Sequence, residues 1–186
     1  MQNKRQIYNM PNLLTMSRIL IIPVIFALLF FKKEIYGIYA SAFFILAVLT
    51  DFIDGYIARK KKLVTNLGIF LDPIADKLLV VTILIMLIPL NRIPAWVVVI
   101  IIFREIFITG LRAIASEKGV VISAGKEGKW KTAFQMFGIF FLLIYYEHFN
   151  INFGDIGLIL IFISIVFSLI SSYKYLKSVS GVLLES

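Results

Sequence analysis

The chain has 186 residues, 60% of them hydrophobic, 15% aromatic and only 16% charged, with a mean hydropathy of +0.94. One water-soluble domain of that length could not hide so much apolar surface, which leaves lipid as its solvent. There is no cysteine and a single histidine, His148, so disulfides, thiolate metal sites and His-rich zinc sites are excluded. The net charge of +8 would suggest nucleic acid in a soluble protein. In a membrane protein basic residues mark cytoplasmic loops facing anionic lipid, so no nucleic-acid partner is expected.

A hydrocarbon layer about 30 Å thick needs roughly 20 apolar residues per helix, and six such stretches follow one another. Residues 2–9 read as a short helix lying at the interface. The first span, about 11–31, opens on Pro11, whose missing N–H costs nothing at a helix start. It reads as a retained helix, because no small-residue cleavage site accompanies the basic N-terminus. The polar turn Lys32-Lys33-Glu34 leads to the second span, about 36–59. The third covers about 66–90, the fourth 93–117, the fifth 128–147 and the sixth 154–177. The expectation is an all-α integral membrane protein of six transmembrane helices, forming a single membrane-embedded domain over 1–186.

Orientation follows from the basic residues. Lys4, Arg5, Arg59 to Lys62, Lys118, Lys126, Lys129, Lys131, Lys174 and Lys177 fall in one set of loops and ends, against Lys32, Lys33 and Arg92 in the other. The positive-inside rule therefore puts both termini and the loops near 60–65 and 118–128 in the cytoplasm.

Charges within a bilayer are costly and mark functional sites by default. Asp51, Asp54, Asp72 and Asp76 all sit inside the second and third spans. A structural ion-pair network is the plainer reading, but Arg59 and Lys77 are too few to neutralise four carboxylates. At about 100° per residue, Asp51, Asp54 and Ala58 share one helical face with Gly55 beside them, and Gly68, Asp72 and Asp76 share another. A short loop makes these helices antiparallel neighbours, so the two pairs can meet just below the cytoplasmic surface. Four oxygen ligands without His or Cys suit a hard cation such as Mg²⁺ or Mn²⁺. Gly55, Ala58 and Gly68 leave room for close approach. Pro73 can disturb its helix and free a carbonyl there.

The pattern Asp51-x2-Asp54-Gly55-x2-Ala58-Arg59-x8-Gly68-x3-Asp72-x3-Asp76 resembles the signature of the CDP-alcohol phosphotransferases, at all eight positions and with the same spacing. The six-helix architecture is similar over the whole chain. The resemblance implies displacement of CMP from a CDP-linked lipid by an alcohol, at an active site on the cytoplasmic face of a membrane homodimer. It implies that Asp51, Asp54, Asp72 and Asp76 hold two divalent ions and that Asp76 also takes the acceptor's proton. It further implies that Gly55, Ala58, Arg59, Thr65 and Gly68 bind the CDP-lipid, with Asn12 and Thr15 approaching it. Helix capping by Thr65 and Asn12, and a membrane-anchoring role for Arg59, remain open.

Arg104, Glu105, Thr109 and Arg112, followed by the run Lys126 to Thr132, bear on the acceptor. Arg112, Lys129 and Lys131 form a basic cluster at the cytoplasmic end, with Lys174 a weaker member. A neutral alcohol would not need such charge, whereas an acceptor carrying phosphate would; a simple juxtamembrane basic loop is the alternative. Together with Pro11-Asn12-x2-Thr15-x2-Arg18, this stretch is similar to family members that join CDP-diacylglycerol to glycerol 3-phosphate. Other acceptors, such as inositol phosphate, serine or a second phosphatidylglycerol, stay open, as does the more distant reading of an ion-coupled transporter. His148, Trp96, Trp130, Tyr145 and Tyr146 read as interfacial residues, and Phe137, Phe140 and Phe141 as lipid-facing or packing surface.

Overall fold

Among the described residues, six helices follow the six apolar runs. The structure, a computed structural model, describes residues 10–61, 66–117, 125–148 and 150–184, with side chains over 15–50, 71–117, 125–147 and 150–178. Helix α1 spans Met10–Phe30, α2 Glu34–Lys61, α3 Asn66–Leu87, α4 Ala95–Glu117, α5 Lys126–Ile144 and α6 Phe153–Leu184. The expected boundaries hold to within three residues, except that α6 runs seven residues beyond 177, to Leu184. Residues 2–9 and Thr65 lie outside the described residues.

The outer faces of these helices are apolar. Leu20, Phe30, Phe103 and Ile106 are each about 70% exposed, an arrangement suited to hydrocarbon rather than to water. Among the described residues one stretch, Phe153–Ser178 of α6, is long and apolar enough by itself to cross a membrane, and only 28% of its most apolar part is buried. Thr15–Phe30 and Glu34–Thr50 are shorter apolar stretches.

The chain divides into two compact units, Met1–Leu90 and Asn91–Ser186. In the first, α1 packs along both α2 and α3, through a core that includes Ile25, Leu29, Phe44, Ala47, Leu79 and Ile83. Both α1 and α3 carry an internal proline, Pro23 and Pro73, without ending there. Each removes one backbone donor from the helix, so the expected disturbance at Pro73 does not break α3.

In the second unit α6 is the central helix, packed against α4 and most extensively against α5. Two glycines set the α5–α6 approach. A Cβ on Gly157 would lie 2.9 Å from the backbone nitrogen of Leu142 and 3.0 Å from the carbonyl oxygen of Gly138. One on Gly138 would lie 2.8 Å from Ile161. Any side chain there would push the backbones apart, and small residues at such crossings are how membrane helices gain van der Waals contact.

The fifth span, expected to reach 147, ends as α5 at Ile144, and the turn to α6 contains a two-residue antiparallel pairing, β1 Glu147–His148 with β2 Ile151–Asn152. Its geometry has local causes. Arg92 Nη1 donates to the carbonyl oxygens of Leu142 (3.1 Å) and Leu143 (2.6 Å), two of the acceptors that the end of a helix leaves without intrahelical donors. The guanidinium lies 4.8 Å from the centre of the Tyr145 ring and 5.3 Å from that of Tyr146, a favourable seat for a cation. Burial pulls the Arg92 pKa below its usual value, while the hydrogen bond to Tyr146 and the charges of both tyrosines oppose that shift. Tyr145 and Tyr146 are therefore partners of a buried cation, beyond their expected interfacial place. At the start of α6, Asn152 Oδ1 accepts from the Asp155 amide (3.2 Å), an N-terminal cap, and Asn152 Nδ2 donates to Asp155 Oδ2 (2.8 Å). Asp155, the fifth aspartate, has a structural role.

Candidate active site

The first unit places two of the four aspartates. Asp72 and Asp76 are four residues apart on α3, hence on one face and about 6 Å apart along the axis. Facing them on α1 are Thr15 and Arg18, three residues apart and about 4.5 Å along their own axis. Thr15 Oγ1 donates to Asp72 Oδ1 at 2.5 Å, and Arg18 Nη1 donates to Asp76 Oδ1 at 2.5 Å. The earlier residue of α1 meets the earlier one of α3, and the later meets the later. The two helices therefore run in the same direction here, as two short turns with an antiparallel helix between them would require. The extra length of the Arg18 side chain spans the difference in rise.

Burial separates the partners. Thr15 is 1% exposed and the Arg18 side chain 0%, whereas the Asp76 side chain is 41% exposed. The carboxylates thus stand at an accessible surface with their helix-α1 partners behind them. The resemblance implied that Thr15 approaches the CDP-lipid; the structure shows its hydroxyl on Asp72.

Asn12, Asp51, Asp54, Gly55, Ala58, Arg59 and Gly68 lie on helical backbone, the first in α1, the last in α3 and the others in α2, but their side chains fall outside those described. The expected meeting of Asp51 and Asp54 with Asp72 and Asp76 turns on those side chains. Among the described residues no group of three or more acidic or imidazole ligands gathers. What is described fits a divalent cation in its chemistry: two carboxylates one turn apart, one touched by a hydroxyl, are hard oxygen donors of the kind Mg²⁺ and Mn²⁺ prefer.

The second unit carries the basic residues. Lys131 is 8% exposed and forms an ion pair with Glu105 Oε1. The same oxygen accepts from Arg104 Nη1 at 3.3 Å, and Arg104 Nε donates to Ser172 Oγ at 2.8 Å. One carboxylate therefore ties together side chains of α4 and α5, and Arg104 extends the network to α6. Arg112 is exposed, with its guanidinium 5.5 Å from the centre of the Tyr175 ring, and Lys129 is exposed as well. Lys174 pairs with Glu127. Of the three residues expected to hold an acceptor phosphate, Arg112 and Lys129 present their charge outward and Lys131 is held by Glu105.

Sequence reasoning had assigned no role to Arg18 or to the Glu105–Lys131 pair. Arg18 carried a readable signal, being the only charged residue between Arg5 and Lys32 in a strongly apolar run. The rule that singled out the aspartates applies to it equally.

A family model described as CDP-alcohol phosphatidyltransferase matches residues 8–170. Three bacterial proteins named CDP-diacylglycerol–glycerol-3-phosphate 3-phosphatidyltransferase are similar along nearly their whole lengths. The one from Bacillus subtilis is 36% identical over 183 residues, covering 90% of this chain and 93% of that protein. The one from Rickettsia typhi is 38% identical over 171 residues, covering 91% and 96%. The one from Haemophilus influenzae is 35% identical over 185 residues, covering 96% and 97%.

Proposed function

This chain belongs to the CDP-alcohol phosphatidyltransferase family, and on that premise we propose that it transfers the phosphatidyl group of CDP-diacylglycerol to sn-glycerol 3-phosphate, giving phosphatidylglycerophosphate and CMP. The acceptor rests on the activity named for relatives that align over nine-tenths of the chain. The chemistry rests on one observation above the others, the accessible Asp72–Asp76 pair backed by Thr15 and Arg18.

The reaction needs charge neutralisation, in-line positioning and a base. Asp51, Asp54, Asp72 and Asp76 would hold divalent cations, Mg²⁺ or Mn²⁺ and two in number, which when bound neutralise the diphosphate of the CDP-lipid. Asn12, Thr15, Gly55, Ala58, Arg59, Thr65 and Gly68 are assigned to the CDP-lipid. Arg112 and Lys129 bind the phosphate of the acceptor, with Lys131 beside Glu105 as a third contributor. Asp76 receives the proton of the acceptor hydroxyl as that oxygen bonds to the phosphatidyl phosphorus. The bond from that phosphorus to the CMP oxygen breaks, and CMP leaves with the electron pair.

The same reading takes all six helices as spans of one catalytic domain, with both termini and the reaction on the cytoplasmic face, and the protein as a homodimer. The basic residues at one set of helix ends support the orientation.

The test is CMP release from CDP-diacylglycerol by the purified protein in detergent, with and without Mg²⁺ or Mn²⁺. Glycerol 3-phosphate, inositol phosphate and serine are offered separately, with Asp76→Asn as control. Release that needs both the metal and glycerol 3-phosphate, and is lost in the variant, is the expected result. Release with another acceptor alone would overturn the acceptor while keeping the aspartate chemistry. No release from folded protein under any condition would overturn the enzyme.

A further inference from the structure

We propose that Tyr175 is a positioning residue for the acceptor: its ring, seated on α4, orients the Arg112 guanidinium while leaving that group's charge and N–H fork to the acceptor phosphate. The inference rests on the reading that Arg112 binds that phosphate, and adds to it what holds Arg112 in place.

The ring itself is fixed. Tyr175 lies on α6 and is 7% exposed. It shares a cluster with Ile108 and Ala115 of α4, with the partly buried Leu111 packed against them. Ile108, Leu111, Arg112 and Ala115 are spaced i, i+3, i+4 and i+7, so they share one face of α4. Three of them seat the ring, and the fourth lays its guanidinium over it, 5.5 Å from the ring centre. That separation is within reach of the attraction between a cation and an aromatic face. The same turn of α6 holds the other arginine of α4, since Ser172 Oγ accepts from Arg104 Nε.

How a cation is held decides what it can still do. A carboxylate partner occupies N–H groups and offsets the charge, as Glu105 does for Arg104. A ring face attracts the charge without neutralising it, and takes none of the strong N–H···O bonds that a phosphate would accept. Among the described residues no carboxylate pairs with Arg112, and Arg112 is exposed. An accessible guanidinium of fixed direction is what bidentate recognition of phosphate requires. Restricting so long a side chain beforehand also reduces the entropy lost when the ligand arrives.

The test uses the full-length protein in detergent, with CMP release followed as glycerol 3-phosphate is varied at saturating CDP-diacylglycerol. Tyr175→Phe keeps the ring face and removes only the hydroxyl, so its KM for glycerol 3-phosphate should stay within about twofold of the parent. Tyr175→Leu removes the face and should raise that KM about two- to fivefold, with the KM for CDP-diacylglycerol little changed. Replacing Tyr175 by pentafluorophenylalanine keeps the ring's shape but withdraws electron density from its face, and should raise the acceptor KM as Tyr175→Leu does. Should Tyr175→Leu fail to fold, the fluorinated ring compared with Tyr175→Phe decides alone. Arg112→Ala should raise the acceptor KM about tenfold or more, and adding Tyr175→Leu to it should change nothing further.

An acceptor KM that follows the electron density of the ring would establish the role of Tyr175. Equal acceptor KM values for the phenylalanine and pentafluorophenylalanine forms would make Tyr175 a packing residue and overturn the proposal, while leaving Arg112 as the phosphate contact. An unchanged acceptor KM in Arg112→Ala would overturn the assignment of Arg112, and this inference with it. A parent protein that releases no CMP with glycerol 3-phosphate would overturn the proposed reaction itself.

Discussion

Each half of the molecule contains a buried cation, but the two use it differently. In the unit formed by α1–α3, the Arg18 side chain is fully enclosed and its partner Asp76 is 41% exposed. In the unit formed by α4–α6, Lys131 and Glu105 are both largely enclosed, at 10% and 23% side-chain exposure, while Arg112 and Lys129 are among the exposed charges. On the proposed function, a cation behind an exposed acid supports a group that meets ligand. A cation and an acid enclosed together fasten helices. The proposed reading thus turns the same pairing of charges to chemistry in one unit and to architecture in the other.

The sharpest way to break that contrast is to remove the exposed acid. Asp76→Asn keeps the volume and a hydrogen-bond acceptor for Arg18, yet should lower kcat about 10²- to 10⁴-fold, the usual span for losing a general base. The loss would appear as CMP release at saturating substrates, with the unfolding temperature in detergent almost unmoved. A comparable loss of stability would mean that the pair in the first unit is architectural as well.

The second unit should answer in the opposite currency. Glu105→Gln leaves Lys131 and Arg104 enclosed without their shared carboxylate. Breaking a fully buried pair costs about 3–5 kcal/mol, and the partial exposure of Glu105 should reduce that figure. The double variant Glu105→Gln/Lys131→Met should recover most of the loss, measured as a double-mutant cycle on thermal unfolding. If Lys131→Met alone mainly raises the KM for glycerol 3-phosphate, its contact with acceptor outweighs its fastening role.

Arg92→Met tests a cation that is architectural without ambiguity. It strips donors from the carbonyls of Leu142 and Leu143, and each unsatisfied buried acceptor costs about 1–3 kcal/mol. Stability should fall while both KM values stay where they are.

The smallest effect belongs to the Glu127–Lys174 pair. Glu127 lies in the first turn of α5, ahead of its apolar run, and the hydrogen bond from Lys174 holds its pKa below the usual carboxylate value. The sign follows: the pair's contribution is fully present above the ordinary carboxylate range and is lost as pH falls through the depressed value. The unfolding temperatures of the parent and Glu127→Gln should therefore converge on acidification, by a slight amount because the pair is exposed.

The six helices were legible because apolar runs of membrane length are interrupted only by short polar turns, and Pro11 and Lys32-Lys33-Glu34 mark boundaries that the helices respect. The acidic face of α3 was legible for a related reason: Asp72 and Asp76 recur at helical spacing within an apolar stretch. What they touch was not. Thr15 and Arg18 lie 57 and 58 residues away in the chain, and periodicity within one helix carries no information about which neighbour it packs against. Glu105 likewise gave its own helical face but not its partner on α5. The Arg92 cap depends on a loop returning beneath a helix end 50 residues later, which composition does not encode.

The glycine contact between α5 and α6 bears on how the chain is made. In lipid no hydrophobic force draws one apolar helix to another, so close backbone contact is what drives association. The same pair is joined by a short connection, from Tyr145 to Asn152, that carries its own antiparallel pairing. Both helices follow α4 in the chain and so emerge from the ribosome after it. They are thus suited to enter the membrane as a preformed hairpin, on which α4 then docks through α6.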